Sequence, residues 1–181
     1  MMDTGSNEYS QSDNISVSAI IDSLKNLNEA NSVRYFSAMV DEYRFILKDG
    51  CDTSLIESLE KVLGAVLPVD YKQFLMLTDG LEFPWHVGSR IFDIAEVNLS
   101  RQIFDAYPKG FFVVGSCFDT TYHIMLNLKS DSCVYAYRLG DAYLCHLNIS
   151  FTEFLNRFIM TCGSPFWTWG GVETDIQAIP C

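Results

Sequence analysis

The chain is 181 residues long, 49% hydrophobic and 14% aromatic, which suits one domain with an extension rather than a multidomain assembly. Twelve Lys and Arg stand against 23 Asp and Glu, a net charge of −11, which argues against a phosphate-tracking nucleic-acid surface and against binding an anionic membrane, since both need clustered cations. No apolar run reaches the ~20 residues that cross a bilayer, residues 1–14 contain Asp3, Glu8 and Asp13 but no Lys or Arg and so do not form a secretory leader, and the expected location is the cytoplasm.

Residues 1–14 are polar and aperiodic, the composition of a disordered lead-in. Residues 15–50 then carry two helical stripes. Val17, Ile20, Ile21, Leu24 and Leu27 form the first, and Val33, Phe36, Met39, Val40, Tyr43, Ile46 and Leu47 form the second, with a joint at Asn26 to Asn31. Gly50 is placed to cap the second helix, with Lys48 near the negative end of its dipole.

Ser54 and Glu57 have capping-box spacing and predict a helix with apolar positions Leu55, Ile56, Leu59, Val62 and Leu63, stopped by Gly64. In Leu67-Pro68-Val69-Asp70 proline opens the next helix where its missing N–H costs nothing, and an acid sits in the positive first turn. Tyr71, Phe74, Leu75 and Thr78 line its core face, and Gly80 is the expected cap.

After Gly80 the period changes to that of strands, at Arg90–Ile94, Phe111–Gly115, Tyr122–Leu128, Cys133–Arg138 and Tyr143–Leu147. Lys129–Ser132 and Leu139–Ala142 are hairpin-sized, so the sheet should be antiparallel; a parallel crossover needs a dozen residues or more. In the clearest strand Tyr122, Ile124, Leu126 and Leu128 share one face, and His123, Met125 and Asn127 share a more mixed one. A short helix is expected over Asn98–Ala106. Ser150 and Glu153 form a second capping box, with Ile149 and Phe154 as its staple, opening a helix striped by Phe151, Phe154, Leu155, Phe158 and Ile159. Residues 163–181 hold Phe166, Trp167 and Trp169 among Gly, Pro and Ser, the composition of an irregular strap across the domain. The fold class is therefore α+β, a mainly antiparallel sheet of about five or six strands flanked by helices, with two extra N-terminal helices.

Chemistry-bearing patterns are sparse. Cys51, Cys117, Cys133, Cys145, Cys162 and Cys181 include no C-x-x-C pair and read as free structural thiols. Cys145 and His146 are neighbours on one strand and so point to opposite faces. His123, His146 and Cys133 lack any spacing that fixes two metal ligands locally. Gly110–Gly115 has no phosphate-loop pattern. Acid pairs such as Asp79/Glu82 and Asp93/Glu96 are too common here to single out a general acid. The expectation is no catalytic site, no cofactor and no metal. The most specific segment is Asp79-Gly80-Leu81-Glu82-Phe83-Pro84-Trp85-His86, which joins acids, aromatics and an imidazole in one loop at the helix-to-sheet junction. For Phe83 and Trp85 taken singly, a plug at the edge of the core is the plainer role. Asp79, Glu82, Trp85 and His86 of this loop, with Asp119 and Asp141 in later turns, are the candidate partner-binding residues.

The run from Ile56 to Gly80 joins an acidic helix ending in Leu63-Gly64, the turn Leu67-Pro68-Val69-Asp70-Tyr71, the pair Phe74-Leu75 and a small polar residue before glycine. It resembles the opening signature of the SUKH superfamily, which includes fungal cell-wall synthesis regulators and many bacterial immunity proteins. Gly115-Ser116-Cys117-Phe118-Asp119, the hairpin strands and the closing Ser150-Phe151 helix follow the same order of elements, roughly from Asp52 to Cys162. The chain departs in having Asp79 where asparagine is usual, and in its extra N-terminal helices. The resemblance implies a family-like domain over residues 51–162, non-enzymatic, often encoded beside a polymorphic toxin whose effector domain it binds and silences. The implied partner is that toxin, a nuclease above all, or another protein, a second copy of this chain included. A regulatory scaffold for cell-envelope synthesis or signalling is the alternative, and a small hydrolase ranks below both.

Overall fold

The computed structural model describes residues 15–29, 45–83, 88–103, 110–117, 121–130, 133–140, 143–169 and 175–178. Among them are five α-helices, α1 (Val17–Glu29), α2 (Thr53–Leu63), α3 (Val69–Leu77), α4 (Ile94–Ile103) and α5 (Phe151–Met160). There are eight strands, β1 (Ile46–Leu47), β2 (Leu81–Glu82), β3 (Arg90–Ile91), β4 (Phe111–Cys117), β5 (Tyr122–Asn127), β6 (Val134–Arg138), β7 (Tyr143–His146) and β8 (Asp175–Ala178), and a 3-10 turn over Phe166–Thr168. The strands form one sheet in chain order, each antiparallel to the next. The class is the α+β arrangement expected, with three short strands, β1, β2 and β8, added to the five read from the sequence. No described helix is long and apolar enough to cross a membrane.

The N-terminal region differs from expectation at its end. Helix α1 buries Val17, Ile20, Ile21 and Leu24 against α3 and α5. The second stripe falls mostly on residues 30–44, outside those described, and its last positions, Ile46 and Leu47, are strand, in register with Glu82 and Leu81. Gly50 accordingly caps no helix. The Cys51 N–H donates to the Leu75 carbonyl at 2.9 Å, drawing this segment so close to α3 that a Cβ on Gly50 would stand 2.0 Å from the Met76 carbonyl oxygen.

Helix α2 starts one residue before Ser54, with Asp52 in the N-cap position and no side-chain cap bond, so the expected Ser54–Glu57 box does not form. Ser54 instead gives its carbonyl to the Ser58 hydroxyl. Ile56 and Leu59 are buried, whereas Leu55 and Val62 are 49% and 46% exposed: the helix buries a narrower stripe than its composition suggested. Gly64 does end it, at φ 67°, its N–H on the Glu60 carbonyl.

Helix α3 buries Tyr71, Phe74 and Leu75 completely. Thr78, not Gly80, is its C-cap. Around it lies an aromatic core: Tyr71 meets Phe151 edge-on at 5.0 Å and Phe112 at 6.0 Å, and Phe74 meets Phe151 at 5.5 Å. Burying each such ring contributes roughly 1.5–3 kcal/mol. Phe112 belongs to β4, so these contacts seat α3 and α5 on the sheet. Helix α5 begins as expected, the Ser150 hydroxyl accepting the Glu153 N–H at 3.2 Å. The reciprocal arm is absent, because the Glu153 carboxylate pairs with Arg157. In β5 both faces are buried, His123 and Met125 at 5% and 0% exposure, so the second face is drier than its alternation implied.

After α5, Gly163 adopts φ 79°. Its carbonyl accepts the Ser89 hydroxyl at 2.9 Å and the Cys117 thiol at 3.1 Å, and a Cβ there would fall 2.9 Å from Phe83 and Ser89. Phe166 and Trp167 are buried and Trp169 is 55% exposed.

Candidate functional site

The helix-to-sheet junction gathers residues from five elements. Past the C-cap of α3 the chain must turn into β2, and the Thr78 hydroxyl, 2.8 Å from both the Lys48 and the Gly80 carbonyl oxygens, holds that turn. The Asp79 N–H donates to the Asp49 carbonyl at 3.1 Å, continuing the β1–β2 pairing. This directs the Asp79 carboxylate at α4, whose Ile94 N–H it receives at 2.9 Å. An acid at a helix N-terminus meets unsatisfied N–H groups and the positive end of the dipole.

The same helix start carries its own box. The Asp93 carboxylate accepts the Glu96 N–H at 2.7 Å, and the Glu96 carboxylate accepts the Asp93 N–H at 3.2 Å. Each box acid also has a cation: Lys48 Nζ lies 2.6 Å from Asp93, and Arg90 lies 3.0 Å from Glu96. The Arg90 guanidinium stands 5.2 Å from the Phe92 ring centroid.

Burial pushes the Asp79 carboxyl above the usual carboxylate range, more than the Ile94 N–H draws it down. Burial pushes Asp93 up too, but the Lys48 hydrogen bond, the helix N–H groups and the Lys48 charge outweigh it and hold Asp93 below that range. Lys48 is raised, chiefly by its hydrogen bond to Asp93. Glu82 is in register with Ile46 and Arg90; its carboxylate accepts no hydrogen bond among the described residues, and its charge acts on Lys48.

Of the candidate residues, the structure thus brings Asp79 and Glu82 into one junction. Trp85, His86, Asp119 and Asp141 lie outside the described residues. Phe83 takes the plainer role: it is 3% exposed and packs edge-on to Phe45 at 5.6 Å and Phe158 at 4.9 Å. Lys48 and Arg90 were missed by sequence reasoning because their partners lie on other elements. The Asp93–Glu96 box was legible, since Asp-x-x-Glu before an apolar residue is the box spacing; reading α4 to start at Asn98 hid it.

Other chemistry is weak here. Burial pushes the Cys51 thiol up to about 11 and the Cys117 thiol up to about 12, so both are neutral thiols at pH 7 and poor nucleophiles. Among the described residues, Cys51, Cys117, Cys133, Cys145 and Cys162 are in no disulfide. Among the described residues no three metal-ligating side chains converge. His146 stacks on Tyr135 at 4.3 Å and His123 is buried in β5.

What the junction offers chemically is an acidic rim whose carboxylates are mostly held by α4 and by Lys48 and Arg90. Two comparisons bear on it. A family model described as SMI1 / KNR4 family (SUKH-1) matches residues 50–157. Two Bacillus subtilis (strain 168) proteins are similar along most of their length. YobM is 26% identical over 165 residues, covering 79% of this chain and 85% of that protein. YnaB is 25% identical over 134 residues, covering 71% of this chain and 90% of that protein. Both are described as uncharacterized proteins.

Proposed function

We propose that this chain, which belongs to the SMI1 / KNR4 family (SUKH-1), is an immunity protein that docks on a cognate toxin domain and silences it by binding rather than by chemistry. The observation that carries the reading is the surplus of acid, −11 over 181 residues, together with its division of labour at the junction. Asp79, Asp93 and Glu96 are spent on holding α4, and the Glu82 carboxylate accepts no hydrogen bond among the described residues. An acidic surface steers a basic partner and opposes its phosphate-binding cleft, which fits a nuclease. Glu82 is the first contact in this reading, with Trp85, His86, Asp119 and Asp141 completing the docking face. The bacterial source of both relatives favours immunity over a scaffold for cell-envelope synthesis, the role suggested by fungal members.

The test is co-expression with the toxin domain encoded nearest its gene. Restored growth, with a stoichiometric complex of the two purified proteins, is the expected result. Absence of both, with capture of envelope-synthesis enzymes instead, would replace this reading by the scaffold.

A further inference from the structure

The end of α3 remote from the junction carries a surface of different character. Val62, Val66 and Val69, within eight consecutive residues, are 46%, 69% and 70% exposed. Apolar residues scattered singly over a surface are ordinary, but a group of them beside a concavity marks a place of contact. A groove of about 560 Å³ runs between Val66, Pro68 and Val69, where α2 gives way to α3, and Leu128 and Lys129, where β5 gives way to its turn.

Charge is distributed unevenly around it. Asp70, the acid that lines the groove, is held by the Thr152 N–H and hydroxyl at 2.9 and 3.2 Å. Glu60 accepts the Leu67 N–H at 2.7 Å and pairs with Lys72 at 3.2 Å. The cations have no such duties: Lys61, Arg101 and Lys129 are exposed and form no ion pair among the described residues. Lys61 is in the last turn of α2, the Arg101 guanidinium donates to the Val62 carbonyl at 3.4 Å, and Lys129 is on the opposite wall of the groove. The C-terminal dipole of α2 accounts for Lys61 and Arg101, but not for Lys129 or the exposed valines. On a chain of net charge −11, this surface is the electrostatic opposite of the junction rim.

We propose that this groove docks a short acidic segment of a partner protein, a large apolar side chain seated between Val66, Val69 and Leu128 and its carboxylates facing Lys61, Arg101 and Lys129. Charge complementarity selects the occupant: an acidic segment is repelled over most of this chain and attracted here. A protein segment fits better than an anionic bilayer, because the surface is concave and the rest of the chain is acidic. A second copy of the chain, itself strongly negative, is repelled at long range. The groove and the acidic rim lie at opposite ends of α3, so the proposal goes beyond toxin binding, and its failure leaves that reading untouched.

The probe is the peptide acetyl-Asp-Glu-Leu-Phe-Glu-Asp-Leu-amide, titrated into the isotope-labelled full chain at low salt while the amide resonances of Val66, Val69 and Leu128 are followed. Saturable movement of those signals is expected. A counterpart with Lys at every acidic position, and another with Ser for Leu and Phe, should each bind at least about tenfold more weakly. The double variant Lys61→Glu/Lys129→Glu, and separately Val69→Ser, should weaken the acidic peptide by about fivefold or more; all three positions are exposed, so both variants should fold. Signals unmoved by the acidic peptide, equal binding of the three peptides, or full affinity in either variant overturns the proposal. Binding to phosphatidylglycerol vesicles in preference to the peptide overturns it in favour of a lipid surface, and concentration-dependent dimerisation lost in Val69→Ser overturns it in favour of a second copy.

Discussion

The carboxylate of Asp70 accepts two hydrogen bonds from Thr152, the backbone N–H at 2.9 Å and the hydroxyl at 3.2 Å, across 82 residues of sequence. Asp70 is in the first turn of α3, and Thr152 is in the first turn of α5. One acid thus offsets the positive ends of two helices and fixes how they meet, with the Tyr71–Phe151 ring contact beside it.

Replacing that acid by its amide keeps the shape and removes the charge. Asp70→Asn is expected to cost about 1–2 kcal/mol. Glu57→Gln, at an exposed position of α2, should stay within about 0.5 kcal/mol of the parent. Urea midpoints of the two variants make the comparison; equal midpoints would show that the α3–α5 tie carries little energy.

Phe74 is fully buried and ring-stacked, so Phe74→Ala should lose about 3 kcal/mol or more, as deletion of a packed aromatic does. A denaturant midpoint that fails to move would mean the α3 stripe is not the centre of the core.

Tyr71 gives the opposite expectation at the next turn. Its ring is fully buried, but its hydroxyl has no hydrogen-bond partner among the described residues, and burial first, then the charges of Asp79, Cys51 and Asp93, push its ionisation far up. Removing an unsatisfied hydroxyl removes a desolvation cost, so Tyr71→Phe should be neutral or stabilising by up to about 1 kcal/mol. A clear loss in thermal melting would reveal an acceptor for that hydroxyl in solution.

His123 sets a pH dependence. Burial holds its imidazole below the ordinary range, so the folded state resists a proton that the unfolded chain accepts near pH 6.5. Stability from this group is present above that pH and declines as pH falls from about 6.5 towards the lowered folded value. Asp79 has the reverse sign: its raised carboxyl favours folding in acid and loses that contribution as pH rises past the ordinary carboxylate value. Urea midpoints at about pH 7.5 and 5.5 should therefore fall on acidification in the parent and fall less in His123→Gln. Parallel declines would assign the effect to other groups.

At the junction, structure and binding separate by residue. Asp79→Ala removes the acceptor of the Ile94 N–H and should lower the melting temperature, a lost cap costing ~1 kcal/mol. Glu82→Lys should leave melting nearly unchanged while slowing association with a basic toxin and flattening its salt dependence. Stopped-flow association and melting on both variants check this. Unchanged association in Glu82→Lys removes Glu82 from the docking face.

Legibility in the sequence followed length and period. Strands β4 to β7, at four to seven residues each, are long enough to stand out as apolar or alternating runs between turn residues, and all were read. Two-residue strands such as β1 and β2 have no period to read, and Ile46 and Leu47 extended a helical stripe by chance. The Ser150 cap was found, without the reciprocal arm of a full box, and the Ser54 box was not real, because Asp52 sits two residues earlier and the chain turns helical there first. At the candidate site, Asp79 and Glu82 were chosen for their sign, yet only the hydrogen bond from the Ile94 N–H to Asp79, 15 residues away in sequence, separates the acid that holds the scaffold from the one left for a partner.

That the sheet follows the order of the chain has a kinetic consequence. Each ladder from β4 to β7 closes over a short connection and so costs little loop entropy, giving the sheet a low contact order. The expensive closures are those that seat the helices on the sheet, Asp70 to Thr152 between α3 and α5 across 82 residues and Ser89, just before β3, to Gly163, just after α5, across 74. The slow event in folding is then the landing of α3 and α5 on hairpins already zipped, and in a chevron plot truncating Phe151 should slow folding more than truncating Val134.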